Sequence, residues 1–159
     1  MEKIKELVVS LFPEAIIGEK DLLTITTKPG ELHRLVETLY KYEETPFDYL
    51  KYLIGTDEGE MLTVTYLLSS SVNPALEIVV KTGTSDRENP LLYTVTDLYE
   101  TAQFNERGVY AMLGIRFINN PDMRKFLLRD DWVGYPLRKD YDANPEINPV
   151  SIESREIID

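Results

Sequence analysis

The residues of this chain that could do chemistry are few: one histidine, His33, and 28 aspartates and glutamates, with no cysteine. The missing thiol removes disulfides, thiolate iron–sulfur ligation, cysteine zinc sites and a cysteine nucleophile together. His33 falls on the polar side of a predicted helix, where it reads as a solvated surface histidine. The run Asp57-Glu58-Gly59-Glu60 is acidic enough for calcium or magnesium. It lacks the alternating ligand spacing of a calcium loop, and hairpin turns are often acidic. No Gly-x-Gly-x-x-Gly follows a strand, and neither a phosphate-cradling Gly-x4-Gly-Lys-Ser/Thr loop nor a Gly-x-Ser-x-Gly elbow exists. The expectation is a chain with no catalytic residue, no metal and no cofactor of its own.

Two other features carry charge in unusual places. Glu106 continues the apolar stripe Val95, Leu98, Tyr99, Ala102 of a predicted helix, followed on the same face by Val109 and Leu113. A carboxylate on an apolar face needs a partner, because an unpaired charge in low dielectric is costly. Arg107 or an outside cation could serve; the other reading ends the helix before Glu106 and leaves it in solvent. The second feature is the span from Arg107 to Lys139, with seven basic and three acidic residues, in a chain of formal net charge −11. Those cations either pair with the chain's own acids or face an acidic partner. Trp132, Tyr135 and Tyr141 beside Arg138 have the composition of an interface anchor, and equally of a core.

The elements that must position these residues follow from periodicity. Ile4, Leu7, Val8, Leu11 and Phe12 form one helix face, ended by Pro13. Ala15–Ile17 and Leu22–Thr27 flank Gly18–Asp21 as a hairpin. After Pro29-Gly30, a second helix carries Leu32, Leu35, Val36, Leu39 and Tyr40. Three strands are predicted at Phe47–Ile54, Met61–Leu68 and Leu76–Lys81, joined by short turns that imply antiparallel neighbours. The sheet then ends in the polar loop Ser85–Pro90. A third helix is predicted to start near Thr94 or Thr96, either a possible cap. Ile115–Ile118 could form a short strand, and Pro121–Arg124 reads as a helical turn.

The order α-β-β-α-β-β-β-α, then an irregular tail, predicts a two-layer α+β fold: a mixed five-stranded sheet with helices mainly on one face. One domain over residues 1–142 is expected, with an extended tail over 143–159. The acidity argues against nucleic acid and against adsorption to anionic lipid. No apolar run approaches the roughly 18 residues of a membrane span. The charged start lacks the apolar core of a secretory signal, which predicts a cytoplasmic chain with at most an indirect membrane link.

The string Asp130-Asp131-Trp132-Val133-Gly134-Tyr135-Pro136-Leu137-Arg138-Lys139-Asp140-Tyr141 closes the predicted domain. It resembles, at every fixed position, the closing motif of the 30 kDa subunit family of the proton-translocating NADH:quinone oxidoreductase (respiratory complex I). Gly114-Ile115-Arg116-Phe117 and Pro121–Leu128 resemble two further segments of that family. The likeness is strong over about a third of the chain. Departures cluster: the family's Glu-Arg-Glu-x-x-Asp is here Glu106-Arg107-Gly108 with Ala111, and its Gly-His is Asn119-Asn120.

The resemblance implies a subunit without a cofactor in the peripheral arm, on the cytoplasmic side in bacteria. It would pack on the large (49 kDa-type) subunit near the quinone site, with iron–sulfur subunits as neighbours. The alternative, which the departures raise, is the equivalent subunit of a membrane-bound energy-converting hydrogenase-type complex. A free-standing carboxylate enzyme and a binding module outside any complex are the competing classes. By the resemblance, Glu106, Arg107, Arg124, Trp132, Pro136, Leu137, Arg138, Lys139, Asp140 and Tyr141 would lie at the subunit interface. Pro136 would fix a bend, Trp132, Leu137 and Tyr141 would give apolar contacts, and Arg138 would bridge partner carboxylates.

Overall fold

A computed structural model describes residues 1–19 and 21–143. The expected tail lies, apart from residue 143, outside the described residues. Helix α1 (Glu2–Leu11) buries Ile4 and Val8, and Phe12 closes it with an N–H bond to the Val8 carbonyl before Pro13. The hairpin β1 (Ile16–Glu19) and β2 (Leu23–Thr26) leads through a 3-10 turn at Pro29–Glu31 into α2 (Leu32–Tyr40). Leu32, Leu35, Val36 and Leu39 of α2 are fully buried, as the 3.6-residue period requires.

Strands β3 (Tyr49–Asp57), β4 (Leu62–Ser69) and β5 (Glu77–Thr84) complete a sheet in the order β1-β2-β5-β4-β3. All neighbours are antiparallel except β2 and β5, so the sheet is mixed and five-stranded, as expected. Alternate residues face the core: Leu62, Val64, Tyr66 and Leu68 from β4, Ile78, Val80 and Thr82 from β5. In β3, Leu50 and Leu53 both point inward although three positions apart. A register shift between Leu50 and Tyr52 supplies the extra residue.

The third helix differs from its expected start. Neither Thr94 nor Thr96 caps it; the Thr94 hydroxyl accepts the Thr96 N–H at 3.1 Å in a turn, α3 runs Ala102–Leu113, and residues 94–101 form turns. The segment before it is a short strand, β6 (Leu91–Tyr93), not expected from the sequence, which pairs in parallel with β7 (Arg116–Ile118). Three residues carry too little periodicity to reveal a strand, and pairing with β7 across α3 is non-local. The helical turn expected at Pro121–Arg124 is absent; those residues are irregular, with Asp122 and Arg124 N–H groups bonded to side chains of Asn120 and Asp122.

Helix α3 lies directly on β3 at Gly55. A Cβ there would come within 2.6 Å of Leu113 Cδ1 and 2.8 Å of Val109 Cγ1. The helix stops at Gly114, whose φ of 79° is left-handed and whose N–H bonds the Tyr110 carbonyl. No described helix is long and apolar enough to cross a membrane.

Candidate subunit interface

The residues expected at an interface fall into two clusters, one on each side of α3. The first is built around Glu106. The helix continues through it, so the carboxylate is fully buried. Within the chain its partner is not Arg107, which pairs with Asp122. Thr94 donates its hydroxyl to Oε2 at 2.6 Å, the Val95 N–H donates to Oε1 at 3.0 Å, and the Asn120 amide donates to Oε2 at 2.7 Å. Neutral donors satisfy the oxygens without neutralising the charge. Burial therefore pushes the Glu106 pKa up, and the three donors pull it partly back. Tyr66, whose hydroxyl is buried without a partner among the described residues, is raised well above its usual value by burial and by Glu106.

Two of the departures from the family pattern become intelligible here. Asn119 has φ 68°, a left-handed conformation that glycine adopts freely and asparagine tolerates. Asn120 next to it supplies an N–H that Glu106 accepts. Arg107 turns away to Asp122 at 3.1 Å, with its guanidinium 5.3 Å above the Phe126 ring. Arg124 bonds the same carboxylate at 2.8 Å. Two guanidinium groups on one acid hold the Asp122 pKa far below the usual carboxylate range, Arg124 foremost.

The second cluster is the closing motif, and the chain itself holds it. Tyr135 to Arg138 form a turn closed by the Arg138 N–H to the Tyr135 carbonyl at 3.1 Å, with Pro136 at the position where proline's φ is already set. The Leu137 N–H bonds the Met112 carbonyl at 3.0 Å. Arg138 reaches back to the C-terminus of α3: Nε donates to the Leu113 carbonyl at 2.6 Å and Nη1 to the Arg87 carbonyl at 2.7 Å. Its guanidinium stacks on Tyr135, 4.8 Å from the ring centre. The expectation of an Arg138 reaching out to partner carboxylates thus meets a group already engaged inside the chain.

Asp57 and Arg87, which sequence reasoning missed, anchor this motif. They form a bidentate pair with both N–H···O distances at 2.8 Å, and Asp57 is buried. The Lys139 backbone N–H adds a third donor to Asp57 at 2.9 Å, and Asp140 meets Arg87 at 3.1 Å. Arg87 above all, helped by the Lys139 and Gly59 N–H groups, holds the Asp57 pKa well below the ordinary range against the opposing effect of burial. One signal was available: Leu53, Gly55 and Asp57 alternate on the inward face of β3, and an acid at an inward strand position requires a partner.

The outward side chains remain. Leu137, Val133 and Lys139 are exposed, as is Leu127 upstream. Trp132 is half-buried, its backbone carbonyl bonded by Lys125 Nζ and its indole N–H sealed without an acceptor among the described residues. Tyr141 lies over Gly134, whose φ is 82° and where a Cβ would come within 2.9 Å of the tyrosine ring. His33 is not fully solvated; it bonds Asp97 at 2.8 Å. Glu58 of the acidic turn pairs with Lys81 at 2.5 Å. Among the described residues no group of three or more His, Cys, Asp or Glu side chains is placed to hold a metal ion.

These features define a class first: a two-layer α+β domain whose closing motif is latched across the ends of β3 and α3, with apolar side chains turned outward. The family model described as "Respiratory-chain NADH dehydrogenase, 30 Kd subunit" matches residues 25–146, and the chain belongs to that family. A relative from Phocaeicola vulgatus, the C/D subunit of an NADH-quinone oxidoreductase, is 51% identical over 113 residues, covering 70% of this chain and 21% of that relative. The chain therefore spans about a fifth of its length. The chloroplastic J subunit of the NAD(P)H-quinone oxidoreductase of Oenothera argillicola is 36% identical over 125 residues, 76% of this chain and 77% of the relative. Two solved structures share the fold. A trypsin-resistant fragment of Nqo5 has TM-score 0.59 at 24% identity, covering 76% of this chain and 97% of the fragment. A chain of the archaeal membrane-bound sulfane sulfur reductase has TM-score 0.71 at 20% identity, covering 92% and 88%.

Proposed function

We propose that this chain is a noncatalytic structural subunit in the peripheral arm of a proton-translocating NADH:quinone oxidoreductase. It is a single domain that docks on the large subunit near the quinone site, with iron–sulfur subunits as neighbours, on the cytoplasmic face of the cell membrane. The supporting observation is the latched closing motif. The fold commits the buried Asp57 carboxylate, paired with Arg87, and two backbone carbonyls to holding a short segment in place, and that segment turns Leu137 and Val133 to solvent. A preformed surface lowers the ordering cost of association. Arg138 and Asp140 of the motif have partners within the chain, which suits a scaffold more than acid–base work.

The test is affinity purification of the tagged chain from its native cells at low detergent, with the partners identified by mass spectrometry. Large and iron–sulfur subunits are expected to co-purify with NADH:quinone reductase activity. Recovery of the tagged chain alone, or with hydrogenase subunits in their place, would overturn the assignment.

A further inference from the structure

We propose that Glu106 is a reversible proton-binding site, served from the cavity beside His33 through the hydroxyls of Thr94 and Thr96. The Glu106 side chain has no exposed surface, and its three donors, the Thr94 hydroxyl, the Val95 N–H and the Asn120 amide, are all neutral. Arg107, the next residue on α3, is drawn off to Asp122. The ionisable groups that act on Glu106 from neighbouring elements are Tyr66 of β4 and Asp97 of the turns before α3, and Asp97 itself meets His33 of α2. Burial foremost, and the like charge of Asp97, favour the neutral acid; the three donors favour the anion. The site therefore has physical reasons to hold either form.

The Thr94 hydroxyl supplies the switch. Its oxygen stands 2.6 Å from Glu106 Oε2, 3.0 Å from Thr96 Oγ1 and 3.1 Å from the Thr96 nitrogen, whose N–H it accepts. A hydroxyl has one proton to give and two lone pairs to receive with. One lone pair is taken by the Thr96 N–H, and two arrangements satisfy the remaining contacts. With Glu106 ionised, Thr94 donates to the carboxylate and accepts from the Thr96 hydroxyl. With Glu106 protonated, the carboxyl donates to Thr94, and Thr94 donates to Thr96. Both arrangements fit the same heavy-atom positions, so the carboxyl can change charge without α3 or the turns moving.

The outer end of this route is open. Thr96 is half-buried, and both threonines line an open cavity of about 520 Å³ together with His33, Tyr93 and Asp97. For uptake, hydronium or a protonated buffer acid in the cavity gives a proton to Thr96 Oγ1. The former Thr96 hydroxyl proton passes to Thr94 Oγ1, and the former Thr94 hydroxyl proton passes to Glu106 Oε2. One proton leaves the solvent, the carboxylate becomes a carboxylic acid, and both threonines end as neutral hydroxyls; no bond to carbon changes. Release runs the same steps in reverse, with cavity water as the acceptor.

The experiment titrates the full chain, with isotope-labelled glutamate carboxyl carbons, by nuclear magnetic resonance; the Glu106 signal is assigned by its loss in Glu106→Gln. In wild type that signal is expected to titrate reversibly, with a midpoint at least about one pH unit above those of the exposed glutamates. Thr96→Val removes the acceptor that Thr94 needs in the protonated arrangement and leaves the Thr94 bond to the carboxylate in the ionised one. It is expected to lower the Glu106 midpoint by about half a pH unit or more, and Thr96→Ser, which keeps the hydroxyl, to retain the wild-type midpoint. A wild-type Glu106 signal that titrates with the exposed glutamates or below them, or that does not titrate between about pH 5 and 9, would overturn the proton site whether or not the variants fold. An unchanged midpoint in folded Thr96→Val would overturn the hydroxyl route.

Discussion

Arg138→Ala is expected to cost the chain about 2–4 kcal/mol of folding stability. Two guanidinium N–H groups bond the Leu113 and Arg87 carbonyls at 2.6 and 2.7 Å. A hydrogen bond to a charged group contributes roughly 1.5–3 kcal/mol. Arg138 is half-buried, so water can reach the abandoned carbonyls and offset part of that loss. Stacking on Tyr135 adds roughly 0.5–1 kcal/mol. For a domain of this size the sum corresponds to a fall of roughly 4–16 °C in Tm. Arg138→Lys keeps the charge but lacks the planar fork, so it should lose about half as much. Urea unfolding of the full chain, followed by the fluorescence of Trp132 and by far-ultraviolet circular dichroism, measures both variants. A loss below about 1 kcal/mol for the alanine variant, with an unchanged m-value, would show that the closing motif is held without Arg138. The latch would then have to rest on Asp57 and Arg87 alone.

Asp57→Asn should destabilise by about 2–4 kcal/mol at pH 7, somewhat under the usual loss for a broken buried pair because Asp140 still faces Arg87. The Asp57 pKa is depressed in the fold, so its contribution is present above 3.8 and lost as pH falls; the gap to wild type should close in acid, as stability against pH would record. Glu106 has the opposite sign. Its raised pKa gives stability that is full below 4.5 and declines as pH rises through the folded value, so Glu106→Gln should flatten that decline. Parallel pH–stability curves for the two proteins would mean that Glu106 titrates normally. Gly108→Ala should stabilise by about 0.5–1 kcal/mol, since the position is helical and open; a lower thermal midpoint would contradict the open position.

How much of this was legible depended on the range of the interaction. The stripe Leu32, Leu35, Val36, Leu39 announces α2 because one helix face repeats locally. The alternation in β4 and β5 does the same for the sheet. Strand β6 was illegible because its three residues acquire strand geometry only by pairing with β7, beyond a whole helix. The irregular start before α3 was illegible for a related reason. Val95 and Tyr99 are buried, as a helical period demands, but from turns folded over Glu106. Burial at helical spacing is necessary for a helix and not sufficient for one.

The site was half legible, and the missing half explains the ambiguity of its composition. Trp132, Tyr135 and Arg138 looked equally suited to a core and to an interface because the motif sends side chains both inward and outward. Its alternating roles run along a single turn: Tyr135 under Gly114, Leu137 outward, Arg138 inward to α3, the Lys139 backbone inward and its side chain outward, Asp140 back to Arg87. The inward half depends on Asp57 and Arg87, more than fifty residues upstream, which no local pattern could connect to it. The latch also sets what an assembly could gain. Because the chain already bonds Arg138 and Asp57 internally, a partner need not neutralise either, and the side chains left for contact on this motif are the outward ones, Val133, Leu137 and Lys139. A substitution in the latch should therefore weaken assembly only as far as it loosens the motif.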